Sequence, residues 1–195
     1  MRGVWWACVL LASGCVAQSK YAELETQYEQ CRNKLSKQRD RSGPPAWVAQ
    51  LQPLVDRGVL EVEDVDGRTV IGMSSEVLFR SGSAELSADG TRTVRDLAAV
   101  LAKQTDADWQ VEGHTDDQPI SSQQFPSNWD LGAARAIAVL QVMVGAGMSA
   151  DHLSAATFGE FAPVAPNTSE SGRAKNRRID VVLLPEVRSR RLQKG

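Results

Sequence analysis

Apolar residues are spaced differently in successive parts of the chain. Residues 4–12 form an uncharged apolar run, residues 16–42 are polar with an apolar residue at every third or fourth position, and short apolar stretches alternate with helical patterns from about residue 58. A helix that crosses a bilayer needs about 20 apolar residues, so the first run is too short to remain as a spanning helix. The spacing therefore predicts a short apolar leader, a polar helical segment and then a compact domain.

The polar segment carries a narrow apolar stripe. Its apolar positions follow the a and d spacing of a heptad repeat, at Ala17, Tyr21, Leu24, Tyr28, Cys31 and Leu35. Two interpretations remain open. Either the stripe forms a short coiled coil that pairs two chains through residues 17–38, with Cys31 placed to cross-link them, or the segment is a partly helical tether. Gly43 and the two prolines after it end this helix.

Strand and helix patterns alternate through the compact part of the chain. Asp66-Gly67 is typical of a tight hairpin turn because both residues tolerate a positive φ. Strands separated by helices require crossover connections and at least partly parallel pairing. The predicted fold class is therefore α/β, an α+β sandwich in which helices pack on a mixed sheet of order βαβαβ followed by a last β. Predicted strands cover residues 60–65, 68–73, 76–79, 109–113, 153–158 and 178–184, and predicted helices cover residues 46–57, a segment that follows Ser87 as N-cap, and residues 128–144.

The composition narrows the choice of partners. The chain is 42% hydrophobic and 24% charged, which is ordinary for a globular protein. Its formal net charge is −2 at pH 7, so there is no overall positive field of the kind that attracts nucleic acid. We therefore expect no nucleic-acid partner.

The first fifteen residues have the layout of an export signal. A single positive charge at Arg2 precedes the apolar run, and small residues then lead to a cysteine, in Leu11-Ala12-Ser13-Gly14-Cys15. This stretch resembles the lipobox of bacterial lipoproteins, although Ala12 stands where leucine is commonest; an ordinary cleaved signal is the alternative. The resemblance implies that Cys15 becomes a lipidated (palmitate-bearing) first residue. Because Val16 rather than aspartate follows, it also implies an outer-membrane anchor with the domain facing the periplasm.

Two segments of the compact domain carry opposite charges at places where ligands commonly bind. Asp116 follows the end of a predicted strand, and loops at strand ends bind ligands in open α/β sheets. Arg135 lies two turns into the helix that begins at about Asn128, one turn after Leu131. A carboxylate and a guanidinium held close together can grip a zwitterion, with Asp116 on an ammonium and Arg135 on a carboxylate. The alternative is a structural salt bridge between the two residues.

A metal site is the other interpretation of the first segment. His114 could ligate a metal together with Asp116 and Asp117. The chain has only one further histidine, His152, and nothing in the sequence brings it near. We therefore expect neither a metal nor a cofactor.

Four motifs in order resemble the OmpA C-terminal domain family, which includes peptidoglycan-associated lipoproteins and the periplasmic part of the stator protein MotB. They are Leu78-Phe79-x-x-Gly82-x-Ala84-x-Leu86, Gly113-His114-Thr115-Asp116, Asn128-x-x-Leu131-Gly132-x-x-Arg135-Ala136 and Gly172-Arg173-Ala174-Lys175-Asn176-Arg177-Arg178-Ile179. The resemblance implies an OmpA-like fold that binds the diaminopimelate of the peptidoglycan stem peptide. It implies that Asp116 and Arg135 grip the ligand and that neighbouring residues complete the site, namely Thr115, Asn128 and Leu131 in the pocket, Phe79 at its border, and Arg173 and Arg177 as further sugar or carboxylate contacts. The loop over residues 117–126 is longer than in the shortest members and looks more like the stator branch.

The functional interpretation is a binding module without chemistry, a lipid-anchored tether between outer membrane and peptidoglycan. A wall-anchoring accessory subunit of a larger envelope complex, stator-like or secretion-type, is the alternative. A peptidoglycan hydrolase is less favoured, because the chain has no Gly-x-Ser-x-Gly elbow and only two histidines. The predicted division is a signal peptide (1–14), a lipidated helical tether (15–45), a short helix and hairpin (46–74), the OmpA-like domain (75–186) and a basic tail (187–195).

We predict that Cys15→Ser abolishes lipidation. In cells fed a labelled palmitate analogue, the wild-type chain should take up label and fractionate with membrane. The Cys15→Ser chain should do neither, because serine has no sulfur to carry the lipid and stable anchoring depends on the acyl chains. Cys31→Ser is the matched control and should label like wild type. Label retained by Cys15→Ser would contradict the lipobox assignment.

Overall fold

The computed structural model describes residues 18–42, 45–80, 82–120 and 122–185, and the chain divides into two compact units between Pro44 and Pro45. The predicted signal peptide, Cys15 and the basic tail at 187–195 lie outside the described residues. No helix among the described residues is both long enough and apolar enough to cross a membrane.

The first unit contains one long helix, α1 (Gln18–Ser42). Its stripe residues Tyr21, Leu24 and Tyr28 are each more than 60% exposed, and Cys31 is exposed and not in a disulfide. These stripe side chains are therefore exposed in the part of the chain that the structure describes. Pairing of two chains through residues 17–38 stays a prediction.

The second unit is built on a five-stranded mixed sheet of order β1-β2-β5-β3-β4. Its strands are β1 (Glu61–Val65), β2 (Arg68–Ser74), β3 (Trp109–His114), β4 (Leu153–Gly159) and β5 (Arg178–Leu183). The pair β3–β4 is parallel, and the other neighbouring pairs are antiparallel. The predicted α/β fold class with a mixed sheet is confirmed.

Helices connect these strands, and serine side chains cap several of them. After a 3-10 turn (Val48–Leu51), the helices are α2 (Gln52–Asp56), α3 (Ser75–Leu78), α4 (Ala88–Leu101), α5 (Asn128–Gly145) and α6 (Glu170–Asn176), and a second 3-10 turn (Ala150–His152) precedes β4. Ser87 caps α4 as predicted, since its hydroxyl accepts from the Gly90 amide at 2.8 Å. Ser127 and Ser169 accept from backbone amides at the starts of α5 and α6 in the same way.

The prediction of a strand over residues 76–79 is wrong. Residues Ser75–Leu78 form one helical turn, with the Ser74 side chain accepting from the Glu76 amide, and Phe79 makes only an isolated bridge to Leu86. A short apolar run fits a strand or a helical turn equally well by its periodicity. The Ser75 amide donates to the Arg177 carbonyl at 2.9 Å, so a contact distant in sequence accompanies the turn.

The hydrophobic core lies between one face of the sheet and helices α4 and α5. Side chains alternate across a strand, so Trp109 and Val111 of β3 face this core, whereas Glu112 and His114 project from the opposite face. The helices contribute Val94, Leu97, Ala98 and Leu101 from α4 and Ala136, Val139 and Met143 from α5, all of them buried. The two faces of β3 therefore have different chemistry.

Helix α5 approaches β3 at a pair of glycines. A Cβ atom on Gly113 would lie 2.1 Å from the Gly132 carbonyl oxygen, a distance that the backbones could not tolerate. No other residue would let this helix lie so close to the strand. The contact fixes the part of α5 that carries Arg135 beside the end of β3.

We predict that Gly113→Ala destabilises the domain by about 3 kcal/mol, because the added methyl group would push backbone against backbone. Gly145→Ala is the control: nothing lies within 4 Å of its added Cβ, so stability should stay the same or rise by less than about 1 kcal/mol. Urea unfolding of both variants measures the difference. Equal midpoints for the two would refute the close-contact argument.

Candidate functional site

Asp116 is held at the carboxyl end of β3 by backbone interactions. The Thr115 amide donates to the Gly159 carbonyl at 2.9 Å, which continues the parallel pairing of β3 and β4, and the Thr115 hydroxyl donates to the Asp116 carbonyl at 2.9 Å. The Gln118 amide donates to Oδ1 of Asp116 at 3.2 Å. Asp116 is buried and fixed in orientation before any ligand arrives.

Arg135 is buried on α5, and its contacts there are a backbone carbonyl and an aromatic ring. Its Nε donates to the Ser83 carbonyl at 2.9 Å, and its guanidinium lies over the Phe79 ring, 5.1 Å from the centroid. Burial and then the charge of Arg177 lower the pKa of Arg135 from its ordinary value, while Asp116 opposes the shift. Within the described residues no carboxylate forms an ion pair with it. Arg135 is therefore a buried cation that an anionic ligand group would stabilise.

Asp116 pairs with Arg177 rather than with Arg135. Nη1 of Arg177 donates to Oδ2 of Asp116 at 2.7 Å, and Nη2 contacts Glu170 at 2.7 Å and also Glu76. Burial of Arg177 favours its neutral form, but hydrogen bonds to its three carboxylate partners outweigh this and raise its pKa. A direct Asp116–Arg135 salt bridge, the alternative left open by the sequence, is not formed.

Asn128 ties the start of α5 to the loop after β3. Its buried side-chain amide donates to the carbonyls of Asp116 at 3.4 Å and Gln118 at 3.1 Å, and to the Glu160 carboxylate. The amide nitrogen has two N–H bonds for these three acceptors, so one N–H is shared, and Asn128 joins the start of α5 to the loop after β3 and to Glu160. Asn128 therefore holds the loop that carries Asp116 in position, besides forming part of the site.

The other predicted site residues differ in how directly they contact Asp116 and Arg135. Phe79 and Leu131 are buried apolar residues, and Phe79 touches Arg135 directly. Arg173 instead braces Glu170, to which its Nε and Nη2 donate at 3.0 and 2.7 Å, and its Nη1 donates to the Asn167 carbonyl at 2.9 Å. The structure thus brings Asp116, Arg135, Phe79 and Arg177 together, whereas Arg173 supports Arg177 through a shared acid.

Sequence reasoning missed the three acids of the site, Glu76, Glu160 and Glu170. Glu170 carried one local signal, since it lies three residues before Arg173 at the start of a helix. Glu76 carried none, because its partner Arg177 is 101 residues away. Glu76 and Glu170 orient Arg177, whereas Glu160 accepts a hydrogen bond from Asn128.

An exposed aromatic pair borders the same region. The rings of Trp129 and Phe161 stack with centroids 5.5 Å apart, and they are 47% and 68% exposed. Each follows directly on a residue of the Asn128–Glu160 hydrogen bond. The rim of the site is therefore aromatic.

The sheet with its two packed helices, and an acid and an arginine buried at the end of β3, define a recognisable class of domain. The profile of the OmpA family matches residues 78–177, about half of the chain. The chain belongs to the OmpA family, and the resemblance noted from its motifs is confirmed.

Relatives and solved structures agree with this assignment. Motility protein B of Bacillus subtilis is 31% identical over 127 residues, covering 65% of this chain and 49% of that protein. The outer-membrane lipoprotein YfiB of Pseudomonas aeruginosa is 35% identical over 116 residues, covering 59% of this chain and 66% of that protein. The solved cell wall anchor of the T6SS from Pseudomonas aeruginosa has a TM-score of 0.67 and 30% identity, covering 74% of this chain and all (100%) of that one. The chain spans about half the length of the first curated relative.

We predict that the pKa of Glu170 lies below its ordinary value of about 4.3, because Arg177 and then Arg173 donate hydrogen bonds to its carboxylate. A carboxyl pKa lowered by folding stabilises the folded state above the unfolded pKa, and that contribution disappears as the pH falls through the folded pKa. NMR titration should show the pKa rising toward normal in Arg177→Gln and staying low in the control Arg80→Gln. An unchanged Glu170 pKa in Arg177→Gln would contradict the assigned contact.

Proposed function

We propose that this chain is a lipid-anchored envelope protein that binds peptidoglycan non-covalently and so tethers the outer membrane to the cell wall. The observation that carries the proposal is the pair of buried opposite charges, Asp116 and Arg135, whose contacts among the described residues leave Oδ1 of Asp116 and the terminal nitrogens of Arg135 able to bind a ligand. Membership in the OmpA family supports it.

The charged pair suits a zwitterionic ligand. Oδ2 of Asp116 is engaged by Arg177, whereas Oδ1 accepts only a 3.2 Å backbone bond from Gln118 among the described contacts and can take an ammonium. Arg135 uses Nε for the Ser83 carbonyl and keeps its terminal nitrogens for a carboxylate. The D-centre of meso-diaminopimelate in the stem peptide carries both groups on one carbon. We propose that Asp116 and Arg135 hold this centre.

The neighbouring residues give the proposed pocket its shape. Thr115 and Asn128 fix the loop that carries Asp116, while Phe79 and Leu131 supply apolar surface. Arg177 holds the Asp116 carboxylate in one orientation through the bond from its Nη1 to Oδ2. Arg173 acts through Glu170, so we place it outside direct contact with the ligand.

The relatives support wall anchoring as the general role. One solved relative is described as the cell wall anchor of a secretion system, and another relative is an outer-membrane lipoprotein. A lipid on Cys15 would supply the membrane end, and α1 would form the tether. We propose binding alone, with no catalysed reaction.

An accessory role in a larger envelope complex is the second candidate. A motility protein and a secretion-system anchor are both among the relatives, and the exposed stripe of α1 offers a surface for a second chain. In that case the same wall contact would hold a partner in place.

We predict that Asp116→Asn and Arg135→Gln each weaken binding to diaminopimelate-type peptidoglycan by about 10- to 100-fold, since each removes hydrogen bonds to a charged ligand group. Sedimentation with purified sacculi and calorimetry with the soluble stem tripeptide measure the loss. Exposed Asp117→Asn and Arg92→Gln are the matched controls and should bind like wild type. Normal binding by both site variants, with unchanged circular dichroism, would refute the assignment.

Lysine-type peptidoglycan tests the ligand itself. Lysine lacks the carboxylate at the D-centre, so wild type should bind this wall about as weakly as Arg135→Gln binds the diaminopimelate wall. Equal wild-type affinity for both walls would contradict the role of Arg135 while leaving wall binding intact.

A further inference from the structure

A second cluster of ionisable side chains lies on the sheet face that is turned away from the helices. Glu112 and His114 are two residues apart on β3 and therefore share a face, and Asp180 of β5 stands directly opposite Glu112 in the antiparallel register. All three are buried, with 8%, 3% and 7% of their surfaces exposed. None of the three belongs to the proposed wall site, which contains Asp116 and Arg135 and the supporting acids Glu76, Glu160 and Glu170.

The histidine at the centre of this cluster lacks a hydrogen-bond partner. His114 Nε2 lies 3.3 Å from Oδ2 of Asp180 and 3.7 Å from Oε2 of Glu112, but neither approach has hydrogen-bond geometry. Nδ1 also has no partner among the described residues. Burying an imidazole whose two nitrogens both lack partners is unfavourable, so a further group that contacts one of these nitrogens would stabilise the fold.

The spacing of the donor atoms suits a metal ion. In a tetrahedral site with ligand bonds of about 2.0–2.2 Å, donor atoms lie about 3.3–3.6 Å apart. The distances from His114 to the two carboxylates, 3.3 and 3.7 Å, fall at or near this range, and ligand atoms of all three residues lie within 4.8 Å of one another. One imidazole and two carboxylates form a nitrogen and oxygen set that suits Zn²⁺.

The charges around the cluster also favour a cation. Arg178 donates through Nε to Oδ2 of Asp180 at 2.9 Å, which balances only one of the two acids. Arg178 also reaches the Ala162 carbonyl, so it can orient Asp180 as an outer-sphere residue orients a metal ligand.

An aromatic ring holds the histidine in place. Phe158 of β4 stacks on His114 with centroids 5.3 Å apart and planes only 7° from parallel. Thus β3, β4 and β5 all contribute to the cluster. An ion bound there would cross-link β3 and β5 near the end of β3 that leads to Asp116 and the start of β5 that follows Arg177.

We propose that Glu112, His114 and Asp180 form a binding site for one Zn²⁺ or similar divalent transition-metal ion that pins β3 to β5 beneath the wall-binding site. Nε2 of His114 and one oxygen from each carboxylate are the ligands, and the fourth position is left to water. The role is structural and does not depend on the proposed wall ligand.

Metal binding by the purified full-length chain tests the proposal. After chelator treatment and dialysis, the chain should bind one Zn²⁺ per molecule by calorimetry, and free Zn²⁺ at about 100-fold above Kd should raise Tm by about 5–10 °C. Co²⁺ should give a tetrahedral spectrum without the charge-transfer bands of thiolate ligands, which excludes binding through the cysteines. No binding by wild type, or a Tm that responds to neither Zn²⁺ nor chelator, would overturn the proposal.

Substitutions locate the site. His114→Gln and Glu112→Gln should each lower Zn²⁺ affinity at least tenfold and abolish the Tm shift. His152→Gln removes the only other histidine, which contacts Asp108 through Nδ1 at 2.7 Å, and should bind like wild type. If His114→Gln fails to fold, Glu112→Gln tests the assignment instead. Unchanged Zn²⁺ affinity in Glu112→Gln would overturn it. Loss of Zn²⁺ binding in His152→Gln would also overturn it.

Discussion

The close approach of α5 to β3 is the contact on which the rest of the site depends. A Cβ atom on Gly113 would lie 2.1 Å from the Gly132 carbonyl oxygen, so only glycine at position 113 lets the two backbones come this close, and a Cβ atom on Gly132 would lie 2.3 Å from the Thr157 hydroxyl. Because of this contact, the helix that carries Asn128 and Arg135 lies beside the strand that leads to Asp116. The amide of Asn128 then closes the gap by bonding to the loop after β3. Packing comes first here, and the polar contacts follow from it.

The two arginines of the site differ in how their charge is balanced. Arg177 contacts three carboxylates, so its charge is more than compensated and it holds Asp116 in one orientation. Arg135 has an aromatic ring and a carbonyl as neighbours and no such acid among the described residues. Because burial already disfavours its charge, an anion brought by a ligand would gain more at Arg135 than at Arg177. This asymmetry explains how one site can hold a rigid acid and an available cation side by side.

The alternation of a β-strand gives β3 and β5 two separate tasks. Their apolar side chains, such as Val111 and Ile179, complete the core against the helices. Their polar side chains, Glu112, His114 and Asp180, meet on the other face, where ordinary packing would place solvent-exposed residues. Burying so many ionisable groups is costly unless something compensates their charge. Asp116 follows soon after the end of β3, and Arg177 directly precedes β5. Rigidity on this face therefore supports the geometry of the proposed wall-binding site.

Features that depend on residues close together in the chain could be predicted from the sequence alone. The heptad spacing and the absence of proline predicted α1, Ser87 and the apolar period predicted α4, and Asp66-Gly67 predicted the first hairpin, because turns, caps and helix faces are local. Local motifs also singled out Asp116 and Arg135 and the family. Three features became visible only in the folded chain: residues 75–78 form a helical turn, Arg177 rather than Arg135 pairs with Asp116, and Glu76 and Asp180 lie in clusters with residues distant in sequence. These contacts join residues far apart in the chain, and no local pattern records which distant strand or helix the fold will place beside them.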